Sequence, residues 1–324
     1  TFSIALVLGG GPSATTVELA IYQAIVFEGD LAAAARLSTF QLICLTLLLI
    51  LSTKFSGNMF VEQTIVLKNN MRGPRTKLSH WLDYFFIGLF CIFIFLPILI
   101  IGFKGLENIA IPKIDFILPA INSLIVALIA TLINLTISLF LCVLIVDERG
   151  KALRTLFEVG SFSIICISPL VFGTAFFLLL FEYIDISANA LLLTGVTNGI
   201  LMIPISLAIL LPGFKRLKAR YGKLMTIIGV SRSSELVKFY IPLLKKNIKF
   251  SCALVFTLSI GDLGIIVLFS GTEMGTLPMY LYRLIGSYRM DEAYFVAMIL
   301  LLMAFLSFWI IENGNLNALK RKQM

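Results

Sequence analysis

The chain has 324 residues, of which 59% are hydrophobic and 14% are charged, and its formal net charge is +8. Soluble domains have about 45–50% apolar and about 25% charged residues, so this composition excludes a water-soluble globule, a disordered chain and a collagen-like chain. The composition instead predicts an all-α, polytopic membrane protein.

Seven stretches are long and apolar enough to cross a bilayer, because a hydrocarbon core about 30 Å thick needs about 20 helical residues. In chain order these stretches are 32–52, 82–103, 118–146, 160–181, 188–211, 248–269 and 292–312. The apolar residues at 1–8 are typical of the end of one more span. We therefore expect about seven complete transmembrane helices.

The distribution of Lys and Arg predicts the orientation. Segments 54–81, 147–156, 214–249 and 313–324 carry 21 of the 26 basic residues and alternate along the chain. By the positive-inside rule these segments lie in the cytoplasm. The acids of the opposite, outer segments are Glu18, Glu28, Asp30, Glu107, Asp115, Glu182, Asp185, Glu273, Asp291 and Glu292. Basic residues spread over four loops do not form a nucleic-acid surface, so nucleic acid is excluded as a partner.

Metal and catalytic chemistry have little support in the sequence. The five cysteines lie in apolar runs without a C-x-x-C pair, and His80 is the single histidine. Such cysteines behave as small core residues. We expect no metal site, no cofactor bound by this chain and no enzyme activity of its own.

A shift of 260 residues aligns the start of the chain with its end. The shift gives nine identities, among them Thr16 with Thr276 and Tyr22 with Tyr282. Parallel repeats of two membrane bundles are common in transporters. The alternative is a chance match between two unrelated apolar hairpins.

The repeat predicts a division of the chain into two unequal parts. Residues 1–53 would be the end of a first half, comprising an outer segment and a last helix. A cytoplasmic linker would follow at 54–81. Residues 82–324 would form a second half with six transmembrane helices.

The longest cytoplasmic segment contains two short amphipathic helical patterns that are interrupted at 229–231. Gly229 can adopt a positive φ at low cost where two helices meet at a sharp angle. Ser231 is a candidate N-cap for the second helix. Pro242 is expected to end that helix before the next span.

This segment resembles the cytoplasmic motif of binding-protein-dependent ABC importer permeases. That motif has E-A-A, three residues, Gly, nine residues and then I-x-L-P. Gly229 fits the glycine and residues 239–242 (FYIP) fill the last position, whereas residues 223–225 (KLM) depart from E-A-A. The alternative to a docking motif is a basic amphipathic helix that lies on the anionic lipid surface.

The resemblance implies that the segment docks in a cleft of an ATPase subunit. The docking residues carried over from the motif are Gly229, Ser231, Glu235 and Pro242. The implied partners are an ATPase dimer, which binds ATP and Mg, a periplasmic solute-binding protein and the lipid bilayer. The implied location is the inner membrane of a bacterial cell.

Two further segments narrow the resemblance. Residues 9–23 and 259–293 are similar to the closing segments of the two halves of bacterial thiamine or thiamine pyrophosphate importer permeases, which are single chains of two fused six-helix halves. The resemblance implies ATP-driven import of thiamine or its phosphates, and a chain that lacks most of the first half. Two alternatives stay open: a ferric iron permease of the same class, and an ion-coupled secondary transporter.

Four residues are candidates for the substrate path. Asp262 is the one acid deep within a predicted span, and such residues usually face the bundle interior or water. Its carboxylate would favour the cationic thiazolium ring of thiamine, or it could only fix helix packing. Asn134 lies on the small and polar face of the third span, where interhelical hydrogen bonding is the alternative role. Gly261 and Gly264 allow close helix approach.

Overall fold

A computed structural model of the chain describes residues 5–6, 15–56, 77–107, 116–148, 150–229, 232–270 and 275–313. All regular elements in these ranges are helical, and the prediction of an all-α, polytopic membrane fold is confirmed. Most of the predicted linker at 54–81, the predicted N-cap Ser231 and nearly all of the predicted cytoplasmic end at 313–324 lie outside the described residues.

The helices of the described residues are, in chain order, α1 (Val17–Gln23), α2 (Leu31–Ser56), α3 (Lys77–Glu107), α4 (Ile117–Asp147), α5 (Lys151–Ser163), α6 (Pro169–Leu180), α7 (Ala190–Leu201), α8 (Ile203–Ile228), α9 (Arg232–Glu235), α10 (Ile241–Leu243), α11 (Lys245–Ile260), α12 (Ile266–Phe269), α13 (Leu277–Gly286) and α14 (Met290–Asn313). A π-helical turn at Ala24–Glu28 extends α1, and another at Leu236–Tyr240 joins α9 to α10.

Four helices, α2, α3, α4 and α14, are long and apolar enough to cross a membrane. A fifth span results if Ala190–Leu201 and Ile203–Gly222, which meet at an angle of 44°, are counted together. The bend lies next to Pro204, which has no N–H to donate to the carbonyl one helical turn before it. The described residues thus contain four or five continuous spans, fewer than the seven predicted.

The two remaining predicted spans are interrupted. The stretch 160–181 divides at Ser168, whose backbone is extended (φ −62°, ψ 136°). Pro169 follows, and a residue before proline is disfavoured in the helical conformation. The stretch 248–269 divides between α11 and α12, where the Asp262 carboxylate binds backbone N–H groups and so competes with the helical hydrogen-bond pattern.

Close packing of α4 against α7 holds the middle of the bundle together. A Cβ added to Gly195 would lie 2.7 Å from the Ile129 side chain, and one added to Gly199 would lie 2.9 Å from the Ala130 carbonyl oxygen. Two glycines four residues apart lie on one face of a helix, and this spacing permits close helix approach in membranes.

The part of the chain before residue 57 packs into the rest of the bundle. Its buried residues Leu19, Ile21 and Tyr22 share an apolar cluster with Leu170 of α6 and Ile266 of α12. A second cluster joins α4 to α8 and to the π-helical turn at Leu236–Tyr240. A third cluster joins α13 to α14. The first cluster therefore fixes the position of α1 relative to α6.

The two ends of the described chain have the same order of elements. Helix α1 begins directly after Thr16 (φ −77°, ψ 158°), and α13 begins directly after Thr276 (φ −85°, ψ 170°). A long apolar helix follows in each case. The spacing agrees with the 260-residue shift, while the division of the chain into permease halves stays a prediction.

Candidate functional site

The predicted docking segment, residues 217–250, has a left-handed backbone at Gly229. This residue follows the end of α8 and has a φ of +71°, in the left-handed region. Its N–H donates to the Met225 carbonyl at 3.1 Å. Most residues with a side chain would be strained at this φ, which glycine adopts at low cost.

The second part of the segment is more continuous than the sequence indicates. Pro242 is the second residue of α10, and Tyr240 and Ile241 before it keep helical backbone angles although proline donates no N–H. The helical path therefore continues past Pro242, and the irregular residue is Leu244 (φ −97°, ψ 12°). The Leu244 N–H still donates to the Tyr240 carbonyl, at 2.9 Å.

Glu235 anchors the docking segment to the membrane helices. Its side chain is buried, and its carboxylate lies 3.8 Å from the Lys218 ammonium of α8. Lys218 also lies 2.7 Å from the carboxylate of Asp147, the last residue of α4. Burial, together with the hydrogen bond to Glu235 and its charge, raises the pKa of Tyr240 above its usual range. The Tyr240 ring stacks on Phe214 at 4.9 Å.

Apolar side chains on the same segment point away from the bundle. Leu224 is 50% exposed, Ile227 is 82% exposed and Val237 is 59% exposed. Leu224 and Ile227 precede Gly229 in α8, and Val237 follows it in the π-helical turn. Exposed apolar side chains in such a polar segment are candidates for contact with a protein or with lipid.

Asp262 uses both carboxylate oxygens within its own turn. One oxygen accepts the Gly264 N–H at 3.3 Å, and the other accepts the Ile265 N–H at 3.4 Å. Gly261 is exposed, and a Cβ added to it would meet only the carbonyl oxygens of Leu258 and Thr257. Gly264 is buried. This geometry favours a structural role for Asp262 in the break between α11 and α12.

Asn134 is at the centre of a buried interhelical network. Its amide nitrogen donates to the Gly199 carbonyl at 2.9 Å, and its amide oxygen accepts from the Ser206 hydroxyl. Ser206 in turn accepts from the Ser251 hydroxyl at 2.8 Å. The network links α4, α7, α8 and α11. Both polar groups of the Asn134 side chain have protein partners, so the geometry favours packing, and a solute contact stays a prediction.

Glu18, an acid of the predicted outer segment, contacts two other helical parts of the chain. It accepts from the Ser168 hydroxyl and, at 3.4 Å, from the Gln41 amide nitrogen. A cavity of about 240 Å³ is lined by Ala5, Thr16, Val17, Glu18 and Gln41. The signal for a helix here is Leu19 and Tyr22 at helical spacing after the N-cap Thr16.

The described residues contain no group of three or more His, Cys, Asp or Glu side chains that could hold a metal ion. The predicted site residues fall into separate places. Glu235 and Pro242 lie in the docking segment with Gly229, Asn134 lies in the core of the bundle, and Asp262 lies in the break before α12.

Comparison with known proteins gives one consistent result. No family model matches the chain. The chain is 33% identical over 321 residues to the thiamine transport system permease protein ThiP of Escherichia coli, covering 97% of this chain and 59% of the relative. The proteins of the same name from Brucella abortus and Haemophilus influenzae are 31% and 29% identical, covering 93% and 97% of this chain. The chain spans less than two thirds of the length of these curated relatives.

Proposed function

Because the similarity to thiamine transport system permease proteins covers nearly the whole chain, we propose that this chain forms part of the permease of an ATP-driven importer. The importer would accept thiamine or its phosphates from a periplasmic binding protein and release it into the cytoplasm. A separate ATPase dimer would hydrolyse ATP, and this chain would provide the route through the membrane. The similarity over 97% of the chain is the observation that carries the proposal.

The docking segment supports an ATPase as the cytoplasmic partner. Leu224, Ile227 and Val237 are exposed on this predicted cytoplasmic loop, on both sides of Gly229. Insertion of a short helical segment with exposed apolar residues into a groove is a common mode of protein recognition. A groove on the ATPase would cover these side chains.

The ion-pair network supports a route for the movement. When the ATPase dimer closes, it would shift the docking segment, which carries the buried Glu235. Lys218 connects Glu235 to Asp147, so the shift would reach α8 and the end of α4. Coupling of this kind requires a contiguous physical link between an element with two positions and the membrane helices. The bundle would then alternate between outward and inward openings.

Uptake in proteoliposomes tests this proposal. The full-length permease would be reconstituted with its ATPase and binding protein, and ATP-dependent uptake of labelled thiamine would be compared with uptake of ferric iron. We expect thiamine uptake that stops when the ATPase is omitted. Uptake of ferric iron in place of thiamine would support an ATP-driven importer but contradict thiamine as its substrate. Uptake that does not require ATP would contradict the proposal of an ATP-driven importer.

A further inference from the structure

We propose that Glu18 is the counter-charge for the organic cation on its way through the membrane, at the contact between the predicted first-half segment 1–53 and the second half. The inference rests on the proposed function, because thiamine carries a permanently positive thiazolium ring. It replaces Asp262 with Glu18 as the acid of the substrate path.

The depth of Glu18 in the membrane follows from its contact with Gln41. Helix α2 begins at Leu31, directly after the polar residues 28–30, and Gln41 lies ten residues further along this apolar span. Ten helical residues rise about 15 Å. Gln41 is near the middle of the candidate span Leu31–Leu48 and five residues beyond Arg36 of the same helix, so Gln41 and the carboxylate it contacts would lie inside the membrane.

A carboxylate at this depth requires an explanation. Ionisable side chains are costly inside a membrane, and those that occur there usually mark substrate or ion pathways. The partners that the described residues provide for Glu18, Ser168 and Gln41, are both neutral. They accommodate the carboxylate by hydrogen bonding, and its place in the first turn of α1 adds the favourable partial charge of a helix N-terminus. Neither contribution is a full positive charge, and a permanent organic cation would supply one.

The cavity beside Glu18 gives a cation a place to bind. Its volume is about 240 Å³, which is below the about 300–1,000 Å³ of sites that enclose a whole drug-sized ligand. It therefore suits the charged ring better than a whole thiamine molecule. The Gln41 carbonyl oxygen is buried and has no partner among the described atoms, so a second acceptor is available beside the carboxylate.

The position of Glu18 in the repeat and in the fold agrees with a path residue. Transporter substrate sites lie near the bilayer midplane at the interface between repeats. Glu18 belongs to the first copy, and its partner Ser168 precedes α6 in the second predicted half. The 260-residue shift matches Glu18 with Pro278 and Gln41 with Leu301, so the second copy has no equivalent carboxylate.

Asp262 is less suited to this role. Both of its oxygens already accept backbone N–H groups, from Gly264 and Ile265. A cation would compete with these bonds. The Glu18 carboxylate has no backbone hydrogen bond among the described residues and faces a cavity.

The charge of Glu18 is tested by Glu18→Gln in the full-length permease with its ATPase and binding protein. Glutamine keeps the size of the side chain and an acceptor for Ser168 but removes the charge. We expect ATP-dependent thiamine uptake to fall about tenfold or more, the loss that follows removal of one charge-assisted contact. ATP hydrolysis stimulated by the loaded binding protein should persist, because the docking segment is unchanged.

A matched control separates the charge of Glu18 from acids in general. Glu28→Gln removes an exposed acid of the same segment and should keep uptake within about twofold of wild type. Uptake by Glu18→Gln at the wild-type level would overturn the inference, as would an equal loss in Glu28→Gln.

A second pair of variants covers the case in which Glu18→Gln does not reach the membrane. Glu18→Asp and Glu18→Asn differ only in charge, so uptake in the first and not in the second supports the inference, and equal uptake overturns it. A wild-type complex that does not carry thiamine would overturn the proposed function itself. The two failures are therefore distinguishable.

Discussion

The Lys218 ammonium lies 2.7 Å from the Asp147 carboxylate, and this ion pair joins α8 to the end of α4. The same ammonium lies 3.8 Å from Glu235. One cation thus serves two acids, one on the membrane bundle and one on the segment proposed to dock with the ATPase. Asp147 and Glu235 have side chains that are 11% and 9% exposed, so removal of the cation would leave two nearly buried acids without it.

Lys218→Met should therefore lower both stability and coupling. Loss of a buried partner destabilises a protein by about 3–5 kcal/mol, but Lys218 is about one-third exposed and solvent screens its charge, so we expect about 1–2 kcal/mol. The measurement is the unfolding free energy of the purified complex, together with the ratio of thiamine uptake to ATP hydrolysis, which should fall.

Lys246→Met is the matched control for this prediction, because Lys246 is an exposed lysine on the adjacent helix α11. It should change neither quantity. Adding Asp147→Asn to Lys218→Met should recover part of the lost stability, because a neutral side chain at 147 no longer needs the Lys218 ammonium. A Lys218→Met complex as stable and as coupled as the wild type would contradict the role of the network.

The left-handed backbone at Gly229 predicts a graded response to substitution. Proline has a φ of about −65° and cannot adopt +71°, so Gly229→Pro should abolish uptake without removing the protein from the membrane. Valine should be strained by about 1–2 kcal/mol, and asparagine, which visits this region more readily, should retain most activity. Co-purification of the ATPase is the direct measurement. Uptake by Gly229→Pro would show that the docking assignment is wrong.

Long apolar runs could be predicted from the sequence because one helix with no internal break accounts for each of them. This holds for α2, α3, α4 and α14. The breaks at Ser168 and Asp262 could not be predicted, because membrane helices often tolerate such residues when neighbouring groups satisfy the backbone. Their extended or turned backbones depend on tertiary contacts that a local pattern does not contain.

The candidate site shows the same limit. The positive φ at Gly229 could be predicted from the sequence, because glycine is the residue that adopts this conformation with the lowest energetic cost. The sequence predicts an outer position for Glu18 because this residue lies between the predicted spans at 1–8 and 32–52. Its contacts with Ser168 and Gln41 could not be predicted, because they depend on packing of the same helix against Leu170, about 150 positions away.

Gly199 provides a test of the close contact between α4 and α7. A Cβ at this position would lie 2.9 Å from the Ala130 carbonyl oxygen and 3.2 Å from the Ile133 side chain, so the helices would have to move apart. We expect Gly199→Ala to destabilise the protein by about 1–3 kcal/mol. Gly88→Ala is the control, because a Cβ there has no atom within 4 Å, and it should be neutral or slightly stabilising. Equal thermal stabilities of the two variants would argue against the packing.

Asn134 distinguishes an interhelical role from a solute contact. Asn134→Ala would leave the Gly199 carbonyl and the Ser206 hydroxyl without their partner, at a cost of about 1–3 kcal/mol. If the residue only packs, the unfolding free energy falls while the KM for thiamine uptake by the surviving protein stays the same. A raised KM with unchanged stability would place Asn134 on the substrate path instead. Because Ser206 also accepts from Ser251, Ser251→Ala should produce a smaller loss of stability in the same network, again with no change in KM.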